Sequence, residues 1–417
     1  FIVFFAIMKI SSIILCFVFI FALHFQSKAA LTFSEYLSKR ISKINTAVIE
    51  DNNSFSPAWF DDIDLRTETN RFELPRQEYS IRFSPLSIFL RNAQKDNFRE
   101  KINNINLKYN IEFSKHIIEI YEEWLDLLFT IKKYELVAGK LSLLKDETLV
   151  REKMALESEN NIEKYIEATE DKHQCELQLQ ALRSEIDIRA QGIFSGYPAD
   201  AIMEIDTSLF PIDSILTLFE NISSEELFAN SADYQKLEGK SSEIQSEMDI
   251  QSAENNQIFN FFQFQYRGPH DDLLNKRLSL MFSLSIPMLG KNKLKQELLV
   301  AENQETQRLL ALKRIEFSES FKKKSIKIRI LFNKLKNCEA QLLELIATKE
   351  QIEKNLSPIA RSPIWLLSYQ MNILESKINI LDLQKEIFLE YVDYLAMAGY
   401  FLSYPQVNFL ARIPDER

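Results

Sequence analysis

Apolar and polar side chains alternate along residues 278–286. Serines and a methionine separate the apolar residues. Because successive side chains of a strand point to opposite faces, this pattern predicts a strand with one apolar and one hydroxyl-lined face. The apolar positions are Leu278, Leu280, Phe282, Leu284 and Ile286.

Three other segments have weaker strand patterns. Aromatic and aliphatic residues alternate with polar ones in two of them, which is typical of a half-exposed sheet. The third contains the sequence FDDIDL, where Asp62 and Asp64 fit one face and Asp61 fits neither. The predicted strands are at about 58–66, 79–86, 258–267 and 277–286.

Helical spacing of apolar residues covers most of the remaining chain. The last long segment comes close to a heptad pattern from Leu367 to Leu395. The segment before it would be about 98 Å long at 1.5 Å per residue. Shorter helical segments are expected at 33–49 and 233–254. The long helices are predicted at about 91–156, 162–190, 292–356 and 364–398.

The order of elements occurs twice. At an offset of 202 residues, Pro85 falls on Pro287, and the break at 157–161 falls on 359–363. Such an internal repeat is a stronger signal than a single motif. The sequence therefore predicts a mostly α chain with a small β part, built from two tandem units of strand, strand and long helical hairpin. Their ranges are 30–200 and 201–400, followed by a C-terminal tail at 401–417.

The N-terminal region has the pattern of a secretory signal. Lys9 precedes an apolar run at 10–23, and Ser27 and Ala29 fit the −3 and −1 positions of a cleavage site. We therefore expect a signal peptide at 8–29, with residues 1–7 belonging to an upstream reading frame. The two cysteines that follow do not form a disulfide framework.

Composition and motifs argue against several functions. Only 7 glycines and 11 prolines are present, which favours long helices. The net charge of −10 argues against nucleic-acid binding. The sequence contains no glycine-rich phosphate loop, no HExxH and no CxxC. The HDD sequence at 270–272 falls in an expected surface loop and gives weak support for a metal site. We predict no catalysis and no cofactor.

Strands of about ten residues with two different faces suit a boundary between lipid and water. A spanning strand must pair all its backbone groups, so membrane strands close into barrels. Four strands per chain are too few to close, whereas three chains would supply twelve. A strand half-buried in a small soluble sheet and an ordinary extended coiled coil are the alternatives that the patterns leave open.

Two stretches resemble the TolC-like outer-membrane efflux proteins. LSLMFSLSIPMLGKNKLKQELLVAENQ (278–304) is similar to the strand, the corner and the start of the long helix in that family. SPIWLLSYQMNILESKINILDLQKEIFLEYVDYLAMAG (362–399) is similar to its second hairpin arm, with a Leu-x-x-Gln and a terminal Gly. The resemblance identifies the chain as a divergent member and is clearest over 257–400.

The resemblance implies an architecture and partners. The family forms homotrimers, with a 12-stranded β-barrel in the outer membrane of Gram-negative bacteria and an α-helical barrel that extends through the periplasm. Its members act with a periplasmic adaptor, also called a membrane fusion protein, and an inner-membrane transporter. The loops at about 67–78 and 267–276 would face outside.

The resemblance also assigns roles to individual residues. The alternating apolar residues of 278–286 would face outer-membrane lipid, and Pro287 and Gly290 would form the corner between barrel and helix. Glu170 and Asp171 follow the first tip, whereas Trp365 and Ser368 occupy positions where the family often has acids, so these four would line the pore entrance. The tips that contact the adaptor would include Asn160, Asn161, Pro358 and Pro363.

The function implied is that of a passive exit duct in a tripartite efflux or type I secretion system. The adaptor would open the duct at the periplasmic tips of the helices. The alternative is an exported, elongated coiled-coil scaffold or surface protein without channel activity. A periplasmic adaptor fits less well, because no Gly/Val-rich β domains flank a single hairpin.

Overall fold

The computed structural model describes residues 32–44, 55–69, 77–158, 161–193, 209–221, 224–268, 277–284, 293–355 and 363–411. These residues are mostly helical, with one small antiparallel sheet, and this confirms the predicted fold class. The strands are β1 (Phe60–Thr69), β2 (Gln77–Pro85), β3 (Phe259–Arg267) and β4 (Leu278–Leu284). The helices are α1 (Phe33–Ile44), α2 (Ile88–Glu157), α3 (Ile162–Ile193), α4 (Asp213–Asn221), α5 (Ser224–Asn230), α6 (Ala232–Asn255), α7 (Lys293–Asn355), α8 (Pro363–Met397) and α9 (Tyr400–Ser403).

Some element boundaries differ from the predictions. The first strand continues to Thr69 and the second begins at Gln77, so the expected outer loop at 67–78 overlaps both strands. The long helix α2 begins at Ile88, three residues before the predicted start. Among the described helices, none is both long enough and apolar enough to cross a membrane.

The described chain divides into two units. The sheet unit contains β1–β4, α5 and α6, with α2 up to Phe113 and α7 up to Ser320. The hairpin unit contains α1, α3, α4, α8 and α9, with α2 from Ser114 and α7 from Phe321.

The sheet consists of two hairpins with the same register, β1–β2 and β3–β4. Its strand order is β1-β2-β3-β4. The first hairpin pairs Leu65 with Ile81, and the second pairs Phe264 with Leu280. Adding 199 to the residue numbers of any pair from Phe60↔Pro85 to Thr67↔Tyr79 gives a pair of the second hairpin. The repeat offset in the strands is therefore 199, rather than the 202 expected from the prolines.

A bulge explains the aspartate that did not fit the alternation. Phe60 pairs with Pro85 and Asp62 with Ser84, so Asp61 is the extra residue at a register shift. Asn260 occupies the same place in the second hairpin, between Phe259 and Phe261. An extra residue of this kind restores the alternation after the shift.

An aromatic core lies at the centre of the hairpin unit. Trp124 is 1% exposed, and Tyr121 and Tyr391 are fully buried. The ring of Phe33 on α1 lies 4.7 Å from that of Tyr121, and Phe401 on α9 lies 4.8 Å from the same ring. Helix α1 and the C-terminal segment therefore pack on α2 through one tyrosine.

The predicted C-terminal tail is folded as far as residue 411. Gly399 follows α8 with φ of 74°, the left-handed conformation that ends many helices. The Tyr121 hydroxyl donates to the Val407 carbonyl at 2.7 Å and accepts from the Phe409 N–H at 3.0 Å. Burial raises the pKa of Tyr121, so it remains a neutral donor.

Candidate functional site

The strand register places the apolar residues of all four strands on one face of the sheet. Leu65, Ile81, Phe264 and Leu280 form one row across the strands. The next rows towards each end continue the pattern because side chains alternate. They are Ile63, Phe83, Phe262 and Phe282 on one side, and Thr67, Tyr79, Tyr266 and Leu278 on the other.

This apolar face is largely uncovered. Leu65 is 74% exposed, Phe282 58% and Leu284 61%. Rings contact one another within the face, as at 5.0 Å between Phe83 and Phe262, but the described residues form no layer that buries them. An exposed apolar surface of this kind marks a contact with lipid or with another protein.

The structure places four of the five predicted lipid-facing residues on this face. Leu278, Leu280 and Phe282 pair with residues of the apolar rows on β3, and Leu284 pairs with Phe259. Ile286 lies outside the described residues, as do Pro287 and Gly290 of the predicted corner. Contact with lipid stays a prediction.

The opposite face of the sheet is polar. Its rows contain Asp64, Arg82 and Gln263, with Met281 as the apolar member on β4. Further along, the Gln265 amide donates to Glu78 at 2.7 Å. The sheet is therefore amphipathic across its whole width, and hydrogen bonds between strands order its polar side.

In the hairpin unit, a row of ion pairs joins α2 to α8. Three charged residues of α2 at seven-residue spacing, Asp126, Lys133 and Lys140, contact opposite charges on α8. Asp126 also accepts from Arg189 of α3 at 2.6 Å. The row therefore links three helices of the hairpin unit. The distances are 2.7 Å to Lys385, 2.8 Å to Asp382 and 2.7 Å to Glu375.

A second charged group joins α7 to α8. Lys324 lies 3.1 Å from Glu390 and 2.8 Å from Asp393, and Lys327 lies 2.6 Å from Glu390. The Glu390 side chain is only 12% exposed, and burial alone would raise its pKa. The hydrogen bonds from Lys327 and Lys324 outweigh burial and lower that pKa, so Glu390 is ionised.

One carboxylate between these groups lacks such a partner. Glu122 makes no hydrogen bond or ion pair with any described residue. Burial raises its pKa, and the negative charges of Asp393, Asp126 and Glu119 raise it further. The hairpin unit thus holds two carboxylates, Glu122 and Glu390, whose pKa values move in opposite directions.

Two of the four predicted pore-entrance residues line one cavity. Asp171 of α3 and Ser368 of α8 lie in the wall of a cavity of about 680 Å³, together with Lys140 and Glu375 of the ion-pair row. Glu170 is exposed elsewhere on α3, and Trp365 contacts Tyr369 with ring centroids 4.9 Å apart. Neither Glu170 nor Trp365 lines this cavity.

The predicted adaptor-contacting tips are only partly described. The Asn161 side chain donates to the Met154 carbonyl at 3.1 Å, which closes the turn between α2 and α3. Pro363 begins α8, a position that suits proline because the first helical N–H has no partner. Asn160 and Pro358 lie outside the described residues.

Sequence patterns alone did not identify the ion-pair row. The seven-residue spacing of Asp126, Lys133 and Lys140 is visible in the sequence, but their partners on α8 follow only from the register of the two helices. Within the described ranges, no group of three or more His, Cys, Asp or Glu side chains could hold a metal ion. The HDD sequence lies outside those ranges.

The fold is similar to that of solved outer-membrane channels, so the predicted resemblance to the TolC-like proteins is confirmed as a likeness of fold. A membrane protein from Pseudomonas aeruginosa has a TM-score of 0.56 at 12% identity, over 88% of this chain and 86% of that one. CusC, whose structures concern transmembrane channel formation, has a TM-score of 0.55 at 10% identity, over 89% of this chain and 90% of that one.

A third structure is a channel in its open state. The MtrE outer-membrane channel of Neisseria gonorrhoeae has a TM-score of 0.54 at 10% identity, over 88% of this chain and 84% of that one. No protein-family model matches the sequence, and no curated protein matches it by sequence. At these identities the likeness concerns the fold.

Proposed function

We propose that this chain is a subunit of an outer-membrane channel that acts as the passive exit duct of a tripartite efflux or type I secretion system. The amphipathic sheet is the observation that supports this most. It has one apolar and one polar face, which suits a boundary between lipid and water, on a fold similar to that of known outer-membrane channels. We assign the duct no catalytic step and no cofactor.

Closure of the sheet requires other copies of the chain. In the order β1-β2-β3-β4, the outer edges of β1 and β4 have no partner strand within the described residues. Unpaired backbone groups cannot be left in lipid, so the edges would pair between subunits. Three copies would give twelve strands, an even number within the range of outer-membrane barrels.

Helix α7 supports assembly independently of the sheet. Its inner face in the sheet unit buries Leu299, Thr306 and Phe317. A second apolar stripe remains exposed. At 3.6 residues per turn it spans about 120° of the helix surface, and its centre lies about 125° around the helix from the buried residues. We propose that a second copy covers it. The stripe consists of Leu294, Leu298, Leu309, Leu312 and Ile315.

We propose that the strands lie in the outer membrane of a Gram-negative bacterium and that the helices extend into the periplasm. There the tips of the two hairpins would contact an adaptor, which links the duct to an inner-membrane transporter. The cavity lined by Asp171 and Ser368 supports a role for these residues at the entrance. Glu170 and Trp365 are proposed for the same entrance from the sequence.

Arginine substitutions on the two faces test this proposal. The double change Leu280→Arg and Leu284→Arg should abolish assembly in the outer membrane, because each arginine in lipid costs about 2–4 kcal/mol. Ser279→Arg on the polar face is the matched control and should assemble. Outer-membrane fractionation, a trimer in detergent and single-channel conductance are the measurements.

One result would overturn the proposal. If the unchanged protein is recovered without detergent as a soluble monomer or dimer, the apolar face is not a lipid contact. The exported coiled-coil scaffold would then be the better explanation of the long helices.

A further inference from the structure

Arg82 is an unpaired cation on the polar face of the sheet. The two other arginines of this face have acidic partners, at 2.9 Å between Arg66 and Asp64 and at 3.6 Å between Arg267 and Glu78. The Arg82 side chain makes no ion pair or hydrogen bond with any described residue. Its Nε atom is buried and has no hydrogen-bond partner. Within the described part of the chain, no direct contact neutralises the positive charge of Arg82.

An aromatic ring fixes the position of this guanidinium. The Cζ atom of Arg82 lies 3.6 Å from the centroid of the Phe261 ring. Phe261 belongs to the polar face, since it is two residues before Gln263, which pairs with Arg82. Stacking holds the planar group without using its N–H donors. The donors that point away from the ring remain available for a ligand.

Neighbouring carboxylates weaken this positive site but do not remove it. Asp64 pairs with Arg82 across the strands, yet its Oδ2 atom is bound by Arg66. Asp62 pairs with Ser84 on the same face and makes no hydrogen bond or ion pair with a described residue. Asp62 is therefore an acid of this face without a described partner of its own, and we take it as a competitor for Arg82.

We propose that Arg82, held on the Phe261 ring, binds the anionic groups of solutes that pass through the channel. Carboxylates, phosphates and sulfonates match the fork of N–H donors on a guanidinium. This inference rests on the proposed channel, in which the polar face lines the water-filled interior and three copies supply three such sites. Rings of arginine favour anions in other pores.

Block of the channel by an added anion tests the site. The assembled protein is placed in a planar bilayer, and inorganic triphosphate is titrated while the current is recorded. Arg82→Gln should raise the half-blocking concentration about tenfold, the effect of losing one charged hydrogen bond. Arg267→Gln is the matched control because it removes the same charge from an arginine paired with Glu78, away from the strand neighbours of Arg82, and it should raise the value by less than about threefold.

Two further variants separate the site from general charge effects. Asp62→Asn removes the competing acid and should lower the half-blocking concentration. Phe261→Leu keeps every charge but removes the ring, and it should raise the concentration. If Arg82→Gln fails to assemble, Phe261→Leu still tests whether the stacked Arg82 binds anions.

The outcomes distinguish failure of the anion site from failure of the proposed channel function. If the unchanged protein conducts but Arg82→Gln and Arg267→Gln change block equally, or Phe261→Leu has no effect, the anion site is wrong and the channel stands. If the unchanged protein forms no channel, the proposed function fails, and the anion site fails with it.

Discussion

The two units use the same apolar residue types in opposite ways. In the hairpin unit, Leu395 and Tyr391 are fully buried between helices. In the sheet unit, Leu65 and Phe282 are more than half exposed, although they follow an equally regular pattern. Periodicity therefore predicts the element and its apolar face. It does not predict whether protein or another medium covers that face.

Truncation of one leucine in each unit should show the largest difference between them. Leu395→Ala removes a fully buried side chain and should lower the free energy of unfolding by about 2–5 kcal/mol, through lost contacts and the cavity that remains. Leu280→Ala on the exposed face should cost less than about 1 kcal/mol in detergent, because no protein cavity forms. Urea unfolding of both variants measures this, and equal losses would mean that protein also covers the sheet.

The second charged group of the hairpin unit contrasts with the polar face of the sheet, because the Glu390 side chain is only 12% exposed whereas that of Asp64 is 36% exposed. Lys324→Met should lower the free energy of unfolding at neutral pH by about 2 kcal/mol, because Glu390 and Asp393 lose a partner. The pKa of Glu390 is lowered, so its contribution is complete above the ordinary value of 4.5 and disappears as the pH falls through the lowered pKa. The cost of the substitution should therefore shrink in acid.

The matched control for Lys324→Met is a substitution in an exposed ion pair. Lys313 pairs with Glu316 at 2.7 Å on the surface of α7. Lys313→Met should leave the free energy of unfolding nearly unchanged and should show little pH dependence, because solvent screens an exposed pair. A loss as large as that of Lys324→Met would contradict the role assigned to burial.

The helices of the sheet unit also pack closely through polar groups. The Asn104 amide donates to the Gly239 carbonyl at 3.0 Å and to Glu243 at 2.9 Å. A Cβ atom on Gly239 would collide with the Asn104 side chain, so Gly239→Ala should cost about 1 kcal/mol. In the hairpin unit, a Cβ on Gly192 meets no atom within 4 Å.

Gly192→Ala is the control, and its effect on the free energy of unfolding should have the opposite sign. Because alanine is the better helix former, Gly192→Ala should raise the free energy of unfolding by up to about 1 kcal/mol. Thermal or urea unfolding of the two variants compares them directly. If Gly239→Ala is also stabilising, α2 and α6 do not pack as closely as the structure shows.

These contrasts show what the sequence could predict. The four strands, the long helices and their repetition follow from short-range patterns, such as the alternation from Leu278 to Leu284. Asp61 could not be explained in this way, because a bulge is defined by the partner strand. The stacking of Arg82 on Phe261 joins residues almost 180 positions apart, and only the pairing of β2 with β3 brings them together.

The same reason explains why the sequence did not predict the row of ion pairs between α2 and α8. The spacing of Asp126, Lys133 and Lys140 indicates one charged face of α2. Their partners on α8 depend on how two helices distant in the sequence are aligned, and side-chain packing decides that alignment. Sequence patterns thus find the face of each element, and tertiary contacts decide which faces meet.

Glu122 gives the smallest effect and has the opposite sign from Glu390. Its raised pKa means that the folded protein opposes ionisation of this group. Below the ordinary value of 4.5 the group is protonated in both states and has no effect, and as the pH rises through the raised pKa the folded state is destabilised. Glu122→Gln should therefore stabilise the protein at neutral pH, by less than about 1 kcal/mol because the side chain is partly solvated.

The pH profile of that substitution isolates the cause. The gain from Glu122→Gln should vanish near pH 4, whereas a gain from better packing would persist at every pH. Glu123→Gln is the control, since the adjacent carboxylate lies 3.3 Å from Arg40 and gains nothing from losing its charge. If the two variants behave alike, the acids around Glu122 do not repel it. The pH dependences expected for Glu122→Gln and Lys324→Met have opposite signs because the hairpin unit holds one carboxylate without a described partner, Glu122, and one paired with lysines, Glu390. That explanation would then fail.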